Sequence, residues 1–441
     1  MNDRKSAPSR GASHVSARRR FCRAPIIVFL WVFIAPAWAQ NGLTLAEALE
    51  QTQARNPELR VFEWRGDILA GRRQQADQAP GLELGLQTES LIGTGDFAGF
   101  DGAELAVSLS SVFELGDKRR KRTRVVDSRL DRLDADAEAR AMDVFGEVTQ
   151  RFIAALALQE KLAIARDAVV LAETNRERVV ERVARGAAPA AERLRADASL
   201  ARARLEVSAI QAEHAGRLAG LSSFWGEVRP DFDRLAGDLF QSAPVADFEQ
   251  LDRRVESTPA IERFASESRL RDAELALVQS RSSADIRWHV GARYNRGVDD
   301  TALEFGLSVP LFAGARNRGN LQSARAAREV VAAESRSALA RLRTRVFGAW
   351  QAHEQASRAV DTLETDVIPA LNEALEQTRL AFERGRYSYL DLVSAQRELL
   401  AARRARVDAA AEALLNQALV EQLTAQSLAE RRDSSLNASG D

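Results

Sequence analysis

Residues 118–184, KRRKRTRVVDSRLDRLDADAEARAMDVFGEVTQRFIAALALQEKLAIARDAVVLAETNRERVVERVA, contain no proline and a single glycine, Gly146. With almost nothing to stop it, a helix can run the whole way, about 67 residues or roughly 100 Å at 1.5 Å per residue. A compact domain has no room for such a rod. Past Arg185-Gly186, the return segment from Ala191 to Ala215 also lacks both breakers. A second pair of arms is expected around 316–384 and 387–429, turning at Arg384-Gly385, with Pro369 placed to kink one of them. Val360, Leu363, Val367, Ala370 and Ala374 step by 3, 4, 3 and 4, the seam spacing of packed coiled helices.

Composition fits long helices better than several compact cores. Of 441 residues 45% are apolar but only 6% aromatic, so the apolar share is mostly small or aliphatic. The near-neutral balance, 62 basic against 63 acidic groups, argues against a nucleic-acid partner. Cys22 is the single cysteine, which excludes an intrachain disulfide and a thiolate metal site. His14, His214, His289 and His353 are too scattered to show metal-ligand spacing. We find no nucleophile–base pair and no phosphate loop, so the sequence does not read as an enzyme, and no cofactor is expected.

At the start, Arg18-Arg19-Arg20 and Arg23 precede an apolar run from Ala24 to Ala37 and then Ala37-Trp38-Ala39. This reads as a cleaved secretory signal peptide over residues 1–39, with Gln40 as the new N-terminus. About 14 apolar residues are too few for a retained membrane anchor. Cys22 lies before the apolar run, so a lipid anchor is not expected; the arginines faintly resemble a twin-arginine signal, with the ordinary route preferred. Removing this leader leaves a formal charge near −7.

The remainder repeats itself at an offset of about 200 residues. Asn56-Pro57 is echoed by Thr258-Pro259, each an N-cap residue followed by proline at the first helical position, and Thr44-Leu45-Ala46-Glu47 adds a capping box. Leu109 to Gly116 corresponds to Leu307 to Gly314, and Arg185-Gly186 to Arg384-Gly385. The expected organisation is a first repeat over 40–220 (hairpin about 81–113, helical arms about 118–220), a linker over 221–246, a second repeat over 247–430 (hairpin about 285–311, arms about 316–429) and a flexible tail over 431–441.

Between the helices the period changes to two. Leu82, Leu84 and Leu86 alternate with polar or small residues, as do Leu105, Val107 and Leu109, then Trp288, Val290, Ala292 and Tyr294, then Leu303, Phe305, Leu307 and Val309. Four strands with one apolar and one polar face suit a transmembrane β-barrel, with Trp288 and Tyr294 placed like an interfacial belt and His289 on the polar face. Four strands cannot close a barrel, whereas three chains would supply twelve. The same alternation also suits a half-buried sheet in a periplasmic domain.

This combination resembles the TolC family of outer-membrane efflux factors over nearly all of the mature chain, from about Leu43 to about Ala425. Carrying the resemblance are Leu43-Thr44-Leu45-Ala46-Glu47-Ala48 with Asn56-Pro57, Phe113-Glu114-Leu115-Gly116-Asp117-Lys118-Arg119, and Arg384-Gly385-Arg386-Tyr387-Ser388-Tyr389-Leu390-Asp391-Leu392 with Ala395-Gln396-Arg397. The resemblance implies a mainly α fold with a small β part: a trimer whose twelve-stranded barrel sits in the outer membrane and continues as a periplasmic helical tunnel. It also implies a periplasmic adaptor and an inner-membrane pump as partners, and a channel that does no chemistry.

Thr88-Glu89-Ser90 and Arg316-Asn317-Arg318-Gly319-Asn320 look like the branch serving cobalt-zinc-cadmium resistance pumps of the resistance–nodulation–division (RND) type. That implies an exit duct for divalent heavy-metal cations. The alternatives are a multidrug or type I secretion duct or, from another class, a soluble periplasmic coiled-coil scaffold. By the same resemblance Asp391, and Glu192 aligned with it, are expected at the periplasmic aperture. A second acidic ring one turn on is in doubt, because Ser394 stands there. Arg185, Gly186, Arg384, Gly385, Arg386 and Tyr387 are expected at the tips on which the adaptor docks, with Arg386 and Tyr387 bonding to neighbouring arms.

Overall fold

A computed structural model describes residues 42–425, apart from 92–93, 96–99 and 101. The expected signal peptide over 1–39 and the tail over 431–441 lie outside the described residues.

Two short helices open the chain. Thr44 and Glu47 form the capping box that starts α1 (Leu45–Arg55), and Asn56 Oδ1 accepts the Glu58 and Leu59 N–H groups at 2.9 and 3.3 Å to start α2 (Pro57–Ala76). Strand β1 (Leu43–Thr44) pairs in parallel with β4 (Leu235–Ala236), a two-residue contact with no sequence period to announce it. The rod is α3 (Lys118–Ala184), an unbroken helix of 67 residues, and α4 (Ala190–Ser222) returns along it.

The second copy follows the same plan with differences. After α5 (Phe248–Val255) comes α6 (Pro259–Ser280); Thr258 precedes it, but its hydroxyl donates to the Val255 carbonyl at 2.9 Å and does not cap the helix. The strand-to-helix junctions also differ. Gly116 and Asp117 are both left-handed before α3, whereas in the second copy Phe312 takes the positive φ and Gly314 lies inside the four-residue α7 (Ala313–Arg316).

The long arm is α8 (Arg318–Thr362), a π-helical turn at Leu363–Val367, and α9 (Ile368–Glu383), with α10 (Tyr389–Thr424) running back. Pro369 has no N–H and its ring crowds the carbonyl four residues earlier; the wider π turn just ahead of it relieves both. That turn adds one residue to the repeat. The expected seam therefore fails beyond Val367: Ala370 and Ala374 are exposed in the isolated chain, while Leu371 and Leu375 turn partly inward and Phe382 is buried. Arg406 on α10 holds the π turn, 3.0 Å from Glu364 and stacked 4.0 Å over the Phe240 ring.

Four strands, β2 (Glu83–Glu89), β3 (Glu104–Phe113), β5 (Ile286–Asn295) and β6 (Asp300–Ser308), form one antiparallel sheet in the order β2-β3-β5-β6. The register aligns Leu84-Leu109-Val290-Phe305 and Leu86-Val107-Ala292-Leu303 in cross-strand rows on one face. The opposite face carries Glu83-Ser110-His289-Gly306 and Gly85-Ser108-Gly291-Glu304. A Cβ on Gly306 would fall 2.1 Å from the His289 ring, so the imidazole occupies the space that a side chain at 306 would need. The helices repeat the strand order, since α2 packs on α3, α3 on α6 and α6 on α8.

Packing is spread along the rods in separate clusters. The largest joins Phe152, Leu156, Leu218, Leu221, Trp225, Leu235, Leu239 and Val407, tying both arms of the first copy to α10 and the linker. Among the described residues no helix is long and apolar enough to cross a membrane.

Candidate functional site

Both copies end in the same backbone device. The Gly186 N–H donates to the Val183 carbonyl at 3.0 Å and the Ala187 N–H to Arg182 at 2.8 Å; Gly385 bonds to Phe382 at 3.0 Å and Arg386 to Ala381 at 2.9 Å. These are Schellman caps, and they need a left-handed residue, supplied by Gly186 and Gly385 with φ of 72° and 74°. Arg185 and Arg384 are the capping residues just before them, both exposed.

The helices that leave the tips start differently. Ser388 caps α10 with a full capping box: its N–H and Oγ–H both donate to Asp391 Oδ2, at 2.8 and 2.7 Å, and its Oγ accepts the Asp391 N–H at 3.3 Å. The Ser388 hydroxyl, helped by its N–H, thereby holds the Asp391 carboxyl below the usual carboxylate range. Asp391 is exposed, with Oδ1 outside the box. Glu192 occupies the equivalent position of α4 behind Pro189, which offers no side-chain cap. It is half-buried, and its Oε2 is enclosed without a hydrogen-bond partner. The two acids that align in sequence are thus unlike in environment.

The fold brings the two tips side by side. Val179, Ala196, Phe382, Tyr389, Leu392 and Val393 form one buried cluster from α3, α4, α9 and α10. Arg182 donates to the Phe382 carbonyl at 2.8 Å and lies 4.6 Å over its ring, satisfying one of the last carbonyls of α9. Arg178 pairs with Glu383 at 3.0 Å, and farther along Asn175 donates to Gln396 at 2.6 Å. Burial pushes the Tyr389 phenol up, and the charge of Glu192 adds to that against Ser199 and Arg397, which places the first-copy acid next to the second-copy helix start. Arg386 and Tyr387 lie at the tip with exposed side chains that form no hydrogen bond or ion pair among the described residues. Within the chain, contact between the arms comes from Arg178, Arg182 and Tyr389. Sequence reasoning missed all three, because burial of Phe382, which sets that contact, depends on the extra residue of the π turn.

A narrow cavity of about 220 Å³ beside the tips, between α3, α4 and α10, is lined by Asn175, Ser199, Gln396 and Arg397 among others. Its one acid, Glu206, is paired with Arg404 at 2.8 Å, so the lining can hydrogen-bond a solute but offers no paired acid and base for proton transfer. Among the described residues no cluster of three or more His, Cys, Asp or Glu side chains is placed to hold a metal ion.

A model of the outer membrane efflux protein family matches residues 48–227 and 273–426, most of the chain. The chain belongs to the outer membrane efflux protein family. The cobalt-zinc-cadmium resistance protein CzcC of Cupriavidus metallidurans is 26% identical over 372 residues, 84% of this chain and 87% of CzcC. Among solved structures, the transmembrane channel CusC superposes with a TM-score of 0.73 at 15% identity, covering 86% of this chain and 91% of CusC. The outer membrane protein VceC of Vibrio cholerae gives 0.67 at 18% identity, covering 86% and 96%. As an outer membrane efflux protein the chain is a passive channel of a tripartite efflux system and not an enzyme. The mainly helical fold with a small sheet part is that of its structural neighbours, which join a helical tunnel to a β-barrel.

Proposed function

We propose that the chain is the outer-membrane exit duct for divalent heavy-metal cations, delivered by an RND-type inner-membrane pump through a periplasmic adaptor. The observation that carries the duct is the exposed apolar face of the sheet. Leu84, Leu86, Leu303, Phe305 and Leu307 are 62–87% exposed in the isolated chain, on a sheet whose edge strands β2 and β6 have no outer partner among the described residues. Such a face and such edges are both costly in water, and lipid plus neighbouring copies would remove both costs. Three copies would supply twelve strands, closing a homotrimer. The cargo rests on the relation to CzcC.

In this reading residues 1–39 are cleaved on export, and the duplicated units of residues 40–220 and 247–430, joined by 221–246, stand side by side in the tunnel wall. Asp391 and Glu192 lie at the periplasmic aperture, where three copies of each carboxylate would favour cations. Arg185, Gly186, Arg384, Gly385, Arg386 and Tyr387 meet the adaptor, a role supported by the identical caps and the two outward side chains at 386 and 387.

The test is growth of a clean deletion strain, with and without complementation, across graded zinc, cobalt, cadmium, nickel and copper beside a panel of bulky antibiotics. Sensitivity to divalent metals that the gene restores is the expected result. Sensitivity to the antibiotics alone would refute the metal cargo and leave a drug duct.

A further inference from the structure

Where the sheet gives way to the helices, all four chain crossings lie at one level. Lys118 at the start of α3 donates to the Ser283 carbonyl and to Asp285, at 2.8 and 2.6 Å, and Arg122 reaches the Ala76 and Gln78 carbonyls at the end of α2. Asn317, before α8, bonds to the Val278 carbonyl and to Ser282 at the end of α6. The charges at this level can therefore be compared directly. Four acids are each matched by a cation: Asp285 by Lys118, Asp77 by Arg119, Asp117 by Arg120 and Glu114 by Arg122. Among the described residues Lys121, Arg281, Arg316 and Arg318 have no acidic partner, and all but the half-buried Lys121 are exposed. The remaining acid nearby, Glu83, belongs to the polar face of the sheet.

Both junctions also break a local rule in the same way. Helix N-termini carry partial positive charge and favour acids; α3 has Asp117 at its N-cap but no acid in its first turn, and α8, also without one, opens with Arg318 two residues after Arg316. At this level Phe113, on the apolar face at the end of β3, and Leu311 and Phe312, in the turn after β6, are 66%, 68% and 77% exposed. An apolar band edged by unmatched cations is complementary to a membrane leaflet with anionic headgroups. This rests on the barrel reading of the sheet.

We propose that Lys121, Arg281, Arg316 and Arg318 form a collar that binds the phosphate headgroups of anionic phospholipid in the periplasmic leaflet of the outer membrane. The lipid anions neutralise the charge that both helix starts carry against their own dipoles. They also fix the height of the channel in the bilayer.

The experiment compares the purified channel in phosphatidylcholine nanodiscs with and without phosphatidylglycerol, reading the thermal midpoint and the lipid retained in native mass spectrometry. Phosphatidylglycerol should raise the midpoint and stay bound. Changing all four cations to Gln should abolish the rise and lower retention by at least about tenfold, whereas Arg281→Lys, Arg316→Lys and Arg318→Lys together should keep both. Inorganic phosphate alone should do nothing. An equal rise in the Gln variant, or an equal rise from phosphate, would overturn the collar while the channel still sits in the disc. Failure of the wild type to enter nanodiscs at all would instead remove the barrel reading, and the collar with it.

Discussion

At the scale of single residues, Ser388 controls how Asp391 behaves. A carboxyl held below its usual range keeps its charge, and the cap it forms, above the ordinary value, and loses both as pH falls through the lowered one. Three such groups around an axis would repel one another and move the other way, so the Ser388 bonds are what would keep a ring ionised. In planar bilayers under a salt gradient, Ser388→Ala should lose cation preference at a higher pH than wild type, and Asp391→Asn should show no such transition. Superimposable Ser388→Ala and wild-type profiles would remove Ser388 from the mechanism. His214 gives a second pH effect. It is buried on α4 with Nε2 unpartnered, and burial, reinforced by Arg166 against the weaker pull of Asp233, holds its imidazole below the usual histidine range. A histidine depressed on folding binds protons more readily when unfolded, so its contribution is complete above its ordinary value of about 6.5 and declines as pH falls below it. His214→Gln should flatten the acid limb of thermal midpoint against pH below about 6.5.

The elements show how far sequence carries. The rod at 118–184 is legible because helix breakers are strong and their absence over that length admits few other structures. The strands are legible because Leu84, Val107, Val290 and Phe305 sit in period-two patterns with no helical alternative. The π turn is not legible: it changes the apolar repeat by one residue, and only packing reveals whether Ala370 or Leu371 is inside. The β1–β4 pair is too short to have a period. The unlike surroundings of Asp391 and Glu192 depend on Ser388 against Pro189, a difference visible in the sequence but masked by aligning the glycines. The π turn makes a sharp prediction. Deleting Thr365, which removes the one residue the π turn absorbs, should return the segment to α-helix and keep Leu371, Leu375 and Phe382 facing inward, with little change in stability. Phe382→Ala should instead cost about 3 kcal/mol, checked by chemical denaturation and by new protease cleavage near the tip. A deletion as damaging as Phe382→Ala would mean that the turn does more than absorb a residue.

On the scale of the whole molecule, the two faces of the sheet make opposite demands. Phe305→Arg places a charge on the apolar face and should destabilise the assembled channel by about 2–4 kcal/mol, whereas Ala106→Arg on the polar face should be tolerated. Recovery from outer-membrane fractions and the thermal midpoint of the detergent-extracted protein give the comparison. Equal loss from both would contradict a lipid-facing assignment. The shared order of strands and helices has a further consequence, for manufacture. Each new chain has two sticky flanks, β2 with α2 on one side and β6 with α8 on the other, and neither can satisfy the other within the same chain. In the proposed homotrimer, until its neighbours arrive, the chain is in a race between correct capture and capture by any stray strand. Closure needs several captures in succession, so yield should rise more steeply than supply when expression is low. It should collapse once supply outruns the cell's insertion machinery, which makes the pace of synthesis, as much as the strength of any contact, decide how many ducts a cell can build.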